Sequence, residues 1–365
     1  MIRILHVLGG LERGGAETMV MNLYRAIDRT QVQFDFIIHT TKHQAYYDEI
    51  IALGGKIYSF PAFDGLNYFK MKKLWKLFFK EHPEYRILHS HVRSYASLYL
   101  PIAKKAGLRT IIHSHNTSSG KGLKALAKFL LQRRLRKCAD FYFACSNAAG
   151  EWLFGKKITT MPNYILLKNA IDVEKYKFSE LSRKKVRDEF NLKDKFIIGH
   201  VGRFHPQKNH LFLLDVFAGI HKKHPESVLM LVGTGEMLNL VKERVVDLKI
   251  DDSVIFTGSR ADVNELLSAF DVFLFPSLFE GLPVTLVEAQ TAGLVSFVSD
   301  SVTKEIAMSE LIRYIPINQG VEPWVEAVEK CSVNRKDFSD KMRKEGYDIH
   351  TTSKNLEIFY KSILS

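Results

Sequence analysis

Phe279-Glu280-Gly281-Leu282-Pro283-Val284-Thr285-Leu286-Val287-Glu288 sets two glutamates eight residues apart around a Gly-x-Pro turn. Pro283 fits the first position of a helix, where its missing N–H would be unpaired in any case, and Gly293 fits the residue just past the end. The spacing predicts a short helix between them. Its N-terminus offers free N–H groups and a positive dipole end to a phosphate. Glu280 then stands just outside that anion site, and Glu288 about a turn and a half inside the helix. The two carboxylates can receive hydroxyls on opposite sides of a diphosphate, which is the layout of a sugar–diphosphate–ribose. An ordinary capped helix with two solvated glutamates carries the same residues, so the stretch takes its meaning from its surroundings.

Those surroundings repeat one pattern twice. Short apolar runs, rich in β-branched and aromatic residues, alternate with longer helical patterns. The runs fall at 2–8, 34–39, 57–60, 87–90, 110–113, 141–144 and 158–161, and again at 196–201, 228–232, 254–256, 272–275, 294–298 and 314–317. Such an alternation predicts two doubly wound α/β domains with parallel sheets, whose strands are covered on both faces. A chain of 365 residues is too long for one ordinary core. The polar stretch 175–195 is the expected seam, giving domains 1–176 and 177–349, with a last helix near 350–365 that could pack back on the first domain.

Composition excludes some classes. With 46 % hydrophobic and 25 % charged residues the chain reads as a folded soluble protein. No apolar run reaches ~18 residues, so no membrane span is expected, and the apolar start is too short for a signal-peptide core. Cys138, Cys145 and Cys331 form neither a disulfide framework nor a metal spacing, which fits a cytoplasmic setting. The formal net charge is +12, and residues 1–176 hold 27 Lys+Arg against 13 Asp+Glu while the rest hold 25 against 27. One half of the chain is therefore suited to an anionic partner.

Gly202-Arg203-Phe204-His205-Pro206-Gln207-Lys208-Asn209 follows the run 196–201. That is the C-terminal end of a strand, where open α/β sheets bind ligands. Arg203 and Lys208 place a forked donor and a point charge beside the loop, both suited to a diphosphate. Gly14-Gly15 follows the first run and opens a helix, and it is not the Gly-x-Gly-x-x-Gly fingerprint of nicotinamide enzymes. His89, His91, His113 and His115 stand at strand ends, where a polar lining is the expected role rather than a zinc site, with His115 singled out. Two segments, 68–82 and 121–137, are basic and amphipathic. The first sets Met71, Leu74, Trp75 and Phe78 against Lys72, Lys76 and Lys80, and the second sets Leu123, Leu126, Ala127 and Leu130 against Lys121, Lys124, Lys128, Arg133, Arg134, Arg136 and Lys137. They suit either core packing with solvated lysines or contact with an anionic membrane surface.

Together, Glu280-x7-Glu288, the Gly202–Lys208 loop, Gly14-Gly15 and Asn169-Ala170-Ile171-Asp172 resemble the family-four retaining glycosyltransferases of the GT-B fold, as found in bacterial exopolysaccharide and capsule synthesis. The resemblance spans nearly the whole chain. It implies two Rossmann-like domains facing a cleft, the first binding a saccharide or lipid-linked acceptor and the second a nucleotide-sugar donor. It implies a catalytic set of Arg203, Lys208, Glu280 and His115, with the two cations on the diphosphate, Glu280 on the donor sugar and His115 beside it. The implied donor-binding set is Gly15, Gly202, Gly233, Gly235, Gly281, Leu282, Pro283, Thr285, Leu286 and Glu288, the last holding ribose hydroxyls. No Asp-x-Asp metal motif occurs, so neither metal nor cofactor is expected, the nucleotide-sugar being a substrate. The family's Pro-Asn-Gly-like turn is divided here between Pro162-Asn163 and Asn169-Ala170, leaving the matching asparagine open. A nucleotide-sugar epimerase, an inactive sugar-binding module and a nucleic-acid-binding protein are the rivals, the last without a recognised binding motif.

Overall fold

The computed structural model describes residues 1–93, 95–115 and 132–364. The chain forms two compact units, Met1–Ala170 with Ile349–Ser365, and Ile171–Asp348.

In the first unit the strands are β1 (Ile2–Val7), β2 (Val32–Ile38), β3 (Ile57–Ser59), β4 (Ile87–Ser90), β5 (Arg109–Ser114), β6 (Phe141–Ala144) and β7 (Tyr164–Leu166). They lie in the order β3-β2-β1-β4-β5-β6-β7, and the pairs are parallel. Helices cover both faces. On one face Gly15–Ala26 packs with the last helix, Ile349–Ser362, whose Ile349, Leu356 and Tyr360 enter a core with Phe34, Phe36 and Phe143. On the other face the helix Tyr68–Glu81 buries Met71, Trp75, Phe78 and Phe79. Its apolar stripe is thus core, and Trp75 and Phe78 are not available to a membrane. Residues 121–131 of the second basic segment lie outside the described residues.

In the second unit β8 (Phe196–Val201), β9 (Ser227–Val232), β10 (Val254–Gly258), β11 (Val272–Phe275), β12 (Ser296–Ser299) and β13 (Ile312–Ile315) lie in the order β10-β9-β8-β11-β12-β13, again parallel. Both sheets therefore reverse their winding once, between β1 and β4 and between β8 and β11. At such a point the connections leave to opposite sides and open a crevice at the strands' C-terminal ends.

Two expectations shift. The run 158–161 is not a strand: Ile158–Thr160 is a 3₁₀ turn, and the edge strand forms at Tyr164–Leu166. Gly155, at φ +95, turns the chain so that Ile158 alone is buried, and the Asn163 amide donates to the Asp140 carbonyl at 2.7 Å, setting Tyr164–Leu166 beside β6. The division falls between Ala170 and Ile171 rather than after Tyr176, because the helix Val173–Tyr176 packs against Val284–Thr291 of the second unit. Among the described residues no helix is long and apolar enough to cross a membrane.

Candidate functional site

The winding reversal of the second sheet brings two loops together. After β8 the chain runs through Gly202–Phe204 into the 3₁₀ turn Pro206–Lys208 and, past Asn209 at φ +57, into the helix His210–Lys223. After β11 it runs to Glu280 and the helix Val284–Thr291. The Leu278 amide donates to the Gln207 carbonyl, and the Gln207 side chain donates to the Phe279 carbonyl, each at 2.8 Å. This tie places Lys208 Nζ 2.6 Å from Glu280 Oε1, with the ammonium 4.6 Å from the centre of the Phe275 ring. Both side chains are largely covered, 16 % and 11 % exposed. Arg203 does not join them: it is 67 % exposed and bonds Glu236 at 3.1 Å. The two cations of the loop thus address different carboxylates.

The glycines of the neighbouring loops have a steric cause. Gly233 and Gly235 sit at φ +140 and +157, and a Cβ on either would strike the carbonyl of Gly202 or Phe204. The Phe204 amide donates to the Thr234 carbonyl at 2.9 Å, so the loops after β8 and β9 lie backbone to backbone. Only glycine permits that approach. Gly202 is tight as well, with Lys208 Cε 3.3 Å from the place of a Cβ.

Pro283 stands at the N-cap of Val284–Thr291, one residue before its expected place, and Gly293 follows the end at φ +66. Glu288 is buried, accepts a hydrogen bond from Tyr176, and is pushed up to about 7 by its burial. It is not a solvated helix glutamate. Gly281, Leu282 and Pro283 are buried beside Glu280, and Thr285 is half-buried. Leu286 is fully buried, and its amide donates to the Pro283 carbonyl. Ser277, fully buried, has an Oγ without a partner among the described residues.

In the first unit Gly15 opens the helix Gly15–Ala26 with nothing among the described residues within 4 Å of the place of a Cβ. His115 follows β5, is half-buried, and is lowered to about 3 by burial and by the charge of Arg93. It accompanies His6, His89, His91 and His113 at the reversal between β1 and β4. His6 is not among the strand-end histidines singled out from the sequence, although His at a first strand's end, with His-x-His at two others, is a visible signal. Asn169, 5 % exposed, and Asp172, which caps Val173–Tyr176, stand at the division between the units, whereas Asn163 holds the β7 turn.

Residues 13–174 match the family described as Glycosyltransferase Family 4, and residues 182–348 match Glycosyl transferases group 1. The glycosyltransferase EpsF of Bacillus subtilis (strain 168) is 35 % identical over 356 residues, covering 95 % of this chain and 93 % of that one. The UDP-Gal:alpha-D-GlcNAc-diphosphoundecaprenol alpha-1,3-galactosyltransferase of Escherichia coli is 29 % identical over 237 residues, 62 % of this chain and 60 % of that one. Among solved structures, Anabaena HepE in complex with UDP-glucose superposes with a TM-score of 0.81 at 18 % identity, over 99 % of this chain and 100 % of that one, a likeness of fold. A family 4 region in front, a group 1 region behind it and a near full-length relative agree: the chain belongs to the family 4/group 1 glycosyltransferases and has their GT-B fold.

Proposed function

We propose that the enzyme moves a sugar with retention, and without a metal, from a nucleotide-sugar held by the second unit to a saccharide or lipid-linked saccharide held by the first, in surface polysaccharide synthesis. The observation that carries this is the Lys208–Glu280 pair at the β8/β11 reversal, 2.6 Å apart across 72 residues of chain, with buried Glu288 in the next helix. A donor diphosphate entering there would draw Lys208 from Glu280 and free that carboxylate for the sugar hydroxyls. Glu288 would take the ribose hydroxyls. As the bond from the anomeric carbon to the diphosphate breaks, its electron pair stays on the phosphate oxygen, and Lys208 stabilises that charge. The acceptor oxygen bonds the same face of the anomeric carbon, and its proton passes to the departing diphosphate. A lipid-linked acceptor is in keeping with the diphosphoundecaprenol-linked acceptor for which the Escherichia coli relative is named.

A lipid-linked acceptor suits a peripheral attachment on the cytoplasmic side, and within the segment 68–82 the surface suited to it is not the apolar stripe, which is core, but the residues beside it. Leu66 and Phe69, 94 % and 81 % exposed, precede or open the helix Tyr68–Glu81, whose Lys70, Lys73, Lys76 and Lys80 are exposed. Apolar tips flanked by lysines suit an anionic bilayer.

The test is product analysis. Purified enzyme, a panel of nucleotide-sugars and a diphosphate-linked lipid acceptor should give one product with the donor's anomeric configuration, in the presence of chelator. Inversion, or loss of turnover on chelation, would contradict the mechanism, and donor conversion without an acceptor would favour the epimerase.

A further inference from the structure

Five imidazoles meet at the reversal between β1 and β4 in the first unit. His6, His89, His91 and His113 are each no more than 8 % exposed, and His115 stands at their outer end. His6 and His89 are register partners on neighbouring strands, and His91 follows His89 by two residues, so the rings share one face of the sheet. Three of them form a chain: His6 Nδ1 lies 2.9 Å from His91 Nε2, and His91 Nδ1 lies 2.8 Å from His115 Nε2. Burial holds all three neutral. A neutral imidazole has one N–H and one lone pair, so the two bonds must run in the same direction.

The ends of the chain fix that direction. The inner end is His6 Nε2, which has no partner among the described residues, and the His6 ring lies 4.2 Å from the Phe34 ring and 5.7 Å from the Phe36 ring. One N–H is left over at one end or the other; at the inner end it would be a donor closed in by two phenylalanine rings with no ligand able to reach it, and buried orphan donors are rarer than under-used acceptors. A bare lone pair therefore faces the phenylalanines. His6 Nδ1–H then donates to His91, His91 Nδ1–H donates to His115, and the proton left over is on His115 Nδ1. That atom too has no partner among the described residues, but it belongs to the half-buried ring at the outer end, where a bound ligand can supply one.

We propose that His91 and His6 are positioning residues that lock His115 as a neutral Nδ1–H donor aimed at an oxygen of the bound substrate, rather than as a base. The proposal rests on the glycosyltransferase reading for the substrate, but the tautomers do not. The charge of Arg93 acts on His115 and disfavours its imidazolium, in keeping with a neutral ring. Read instead as ligands, the triads His6/His89/His91 and His91/His113/His115 would hold a cation. No carboxylate belongs to either triad, so a dication would enter a buried site without a counter-charge.

The experiment is long-range ¹H–¹⁵N correlation of the histidine rings in the ¹⁵N-labelled full chain, with and without added Zn²⁺. Three Nδ1-protonated rings, the tautomer that free histidine disfavours, are expected for His6, His91 and His115, unchanged by Zn²⁺. Nε2-protonated rings, averaged tautomers, or stoichiometric displacement of the ring protons by Zn²⁺ would overturn the proposal, and none of these readings depends on turnover. In the transfer assay His6→Leu should lower kcat at least about tenfold, less than the roughly 10²–10³ of losing a preorganised donor outright, because His115 itself remains. His6→Asn, which keeps an N–H near the place of Nδ1, should recover most of that loss. Equal losses for both variants would show that the bond to His91 does not matter.

Discussion

Glu288 is a carboxyl that the fold keeps from water. Its burial raises it from 4.5 to about 7, so between those values the folded chain holds a proton that the unfolded chain has released. The unfolded state binds fewer protons there, and stability falls as pH rises. The contribution is complete below about 4.5 and is lost by about 7, some 3 kcal/mol at most. Glu288→Gln should therefore raise the urea midpoint at pH 8 and change it little near pH 4. Ribose hydroxyls donating to this group favour its charged form. Nucleotide binding near pH 7 should then release a proton, seen by calorimetry in buffers of different ionisation enthalpy, and Glu288→Gln should lose both the release and much of the affinity. Binding heats independent of buffer would remove Glu288 from the ribose. Lys208 and Arg203 are also separable. Lys208→Ala should cost about 2–4 kcal/mol of transition-state stabilisation, whereas Arg203→Ala, out at Glu236, should cost less than about 1 kcal/mol. Equal losses in kcat/KM would show that Arg203 leaves Glu236 for the diphosphate. Glu280, Glu288 and Lys208 were legible because each sits in a short segment whose spacing already implies a strand end or a helix. Tyr176 on Glu288, Gln207 on Phe279 and His6 on His91 were not, because sheet order, not local pattern, brings them together.

At the level of elements, the strands were readable because both sheets are covered on both faces, which makes each strand an apolar run. The failure at Ile158–Thr160 has the same root: a β-branched run also serves a turn that buries one residue, and the pairing that makes a strand is set by Asn163 and Asp140 instead. The helix Tyr68–Glu81 shows the limit of amphipathic reading. Its stripe could face core or membrane, and only packing decides: Trp75 is fully buried and hydrogen-bonded through Nε1 to the Tyr95 hydroxyl at 2.6 Å. If this helix docks on a bilayer it must do so by Leu66, Phe69 and the exposed lysines. Leu66→Ser/Phe69→Ser should reduce co-sedimentation with anionic vesicles, and Lys70, Lys73 and Lys76 changed to Gln should reduce its salt dependence, each lysine being worth roughly 1 kcal/mol at most. Neither change touches the core, so thermal stability should hold. Binding that survives both sets, or that is equal on neutral vesicles, would leave this surface as scaffold.

Across the whole molecule the chain visits the first unit twice. Counted by unit, the first holds 28 Lys+Arg against 12 Asp+Glu and the second 24 against 28. The charge division thus follows the fold more sharply than it follows the halves of the sequence, because 349–365 brings Lys354 and Lys361 against Glu357 to the first unit and 171–176 takes Asp172 and Glu174 against Lys175 to the second. That helix matters for more than charge. Leu356 and Tyr360, 2 % and 0 % exposed, sit in the core with Phe34 and Phe36, and the Tyr360 hydroxyl bonds His89 Nδ1 at 2.7 Å. Removing both side chains leaves a cavity and an unpaired imidazole, at about 2–5 kcal/mol for each large-to-small change. The second unit shares none of that core. In the full chain, Leu356→Ala/Tyr360→Ala should lower hydrogen-exchange protection in β1, β2 and Gly15–Ala26 while β8, β9 and Val284–Thr291 keep theirs. If the nucleotide-sugar binds the second unit alone, nucleotide affinity should stay within about twofold while transfer falls, since only the first unit has been loosened. Loss of nucleotide binding in step with protection of the first unit would mean that both units are needed to hold the donor. Equal loss of protection in both units would mean that they unfold as one cooperative body.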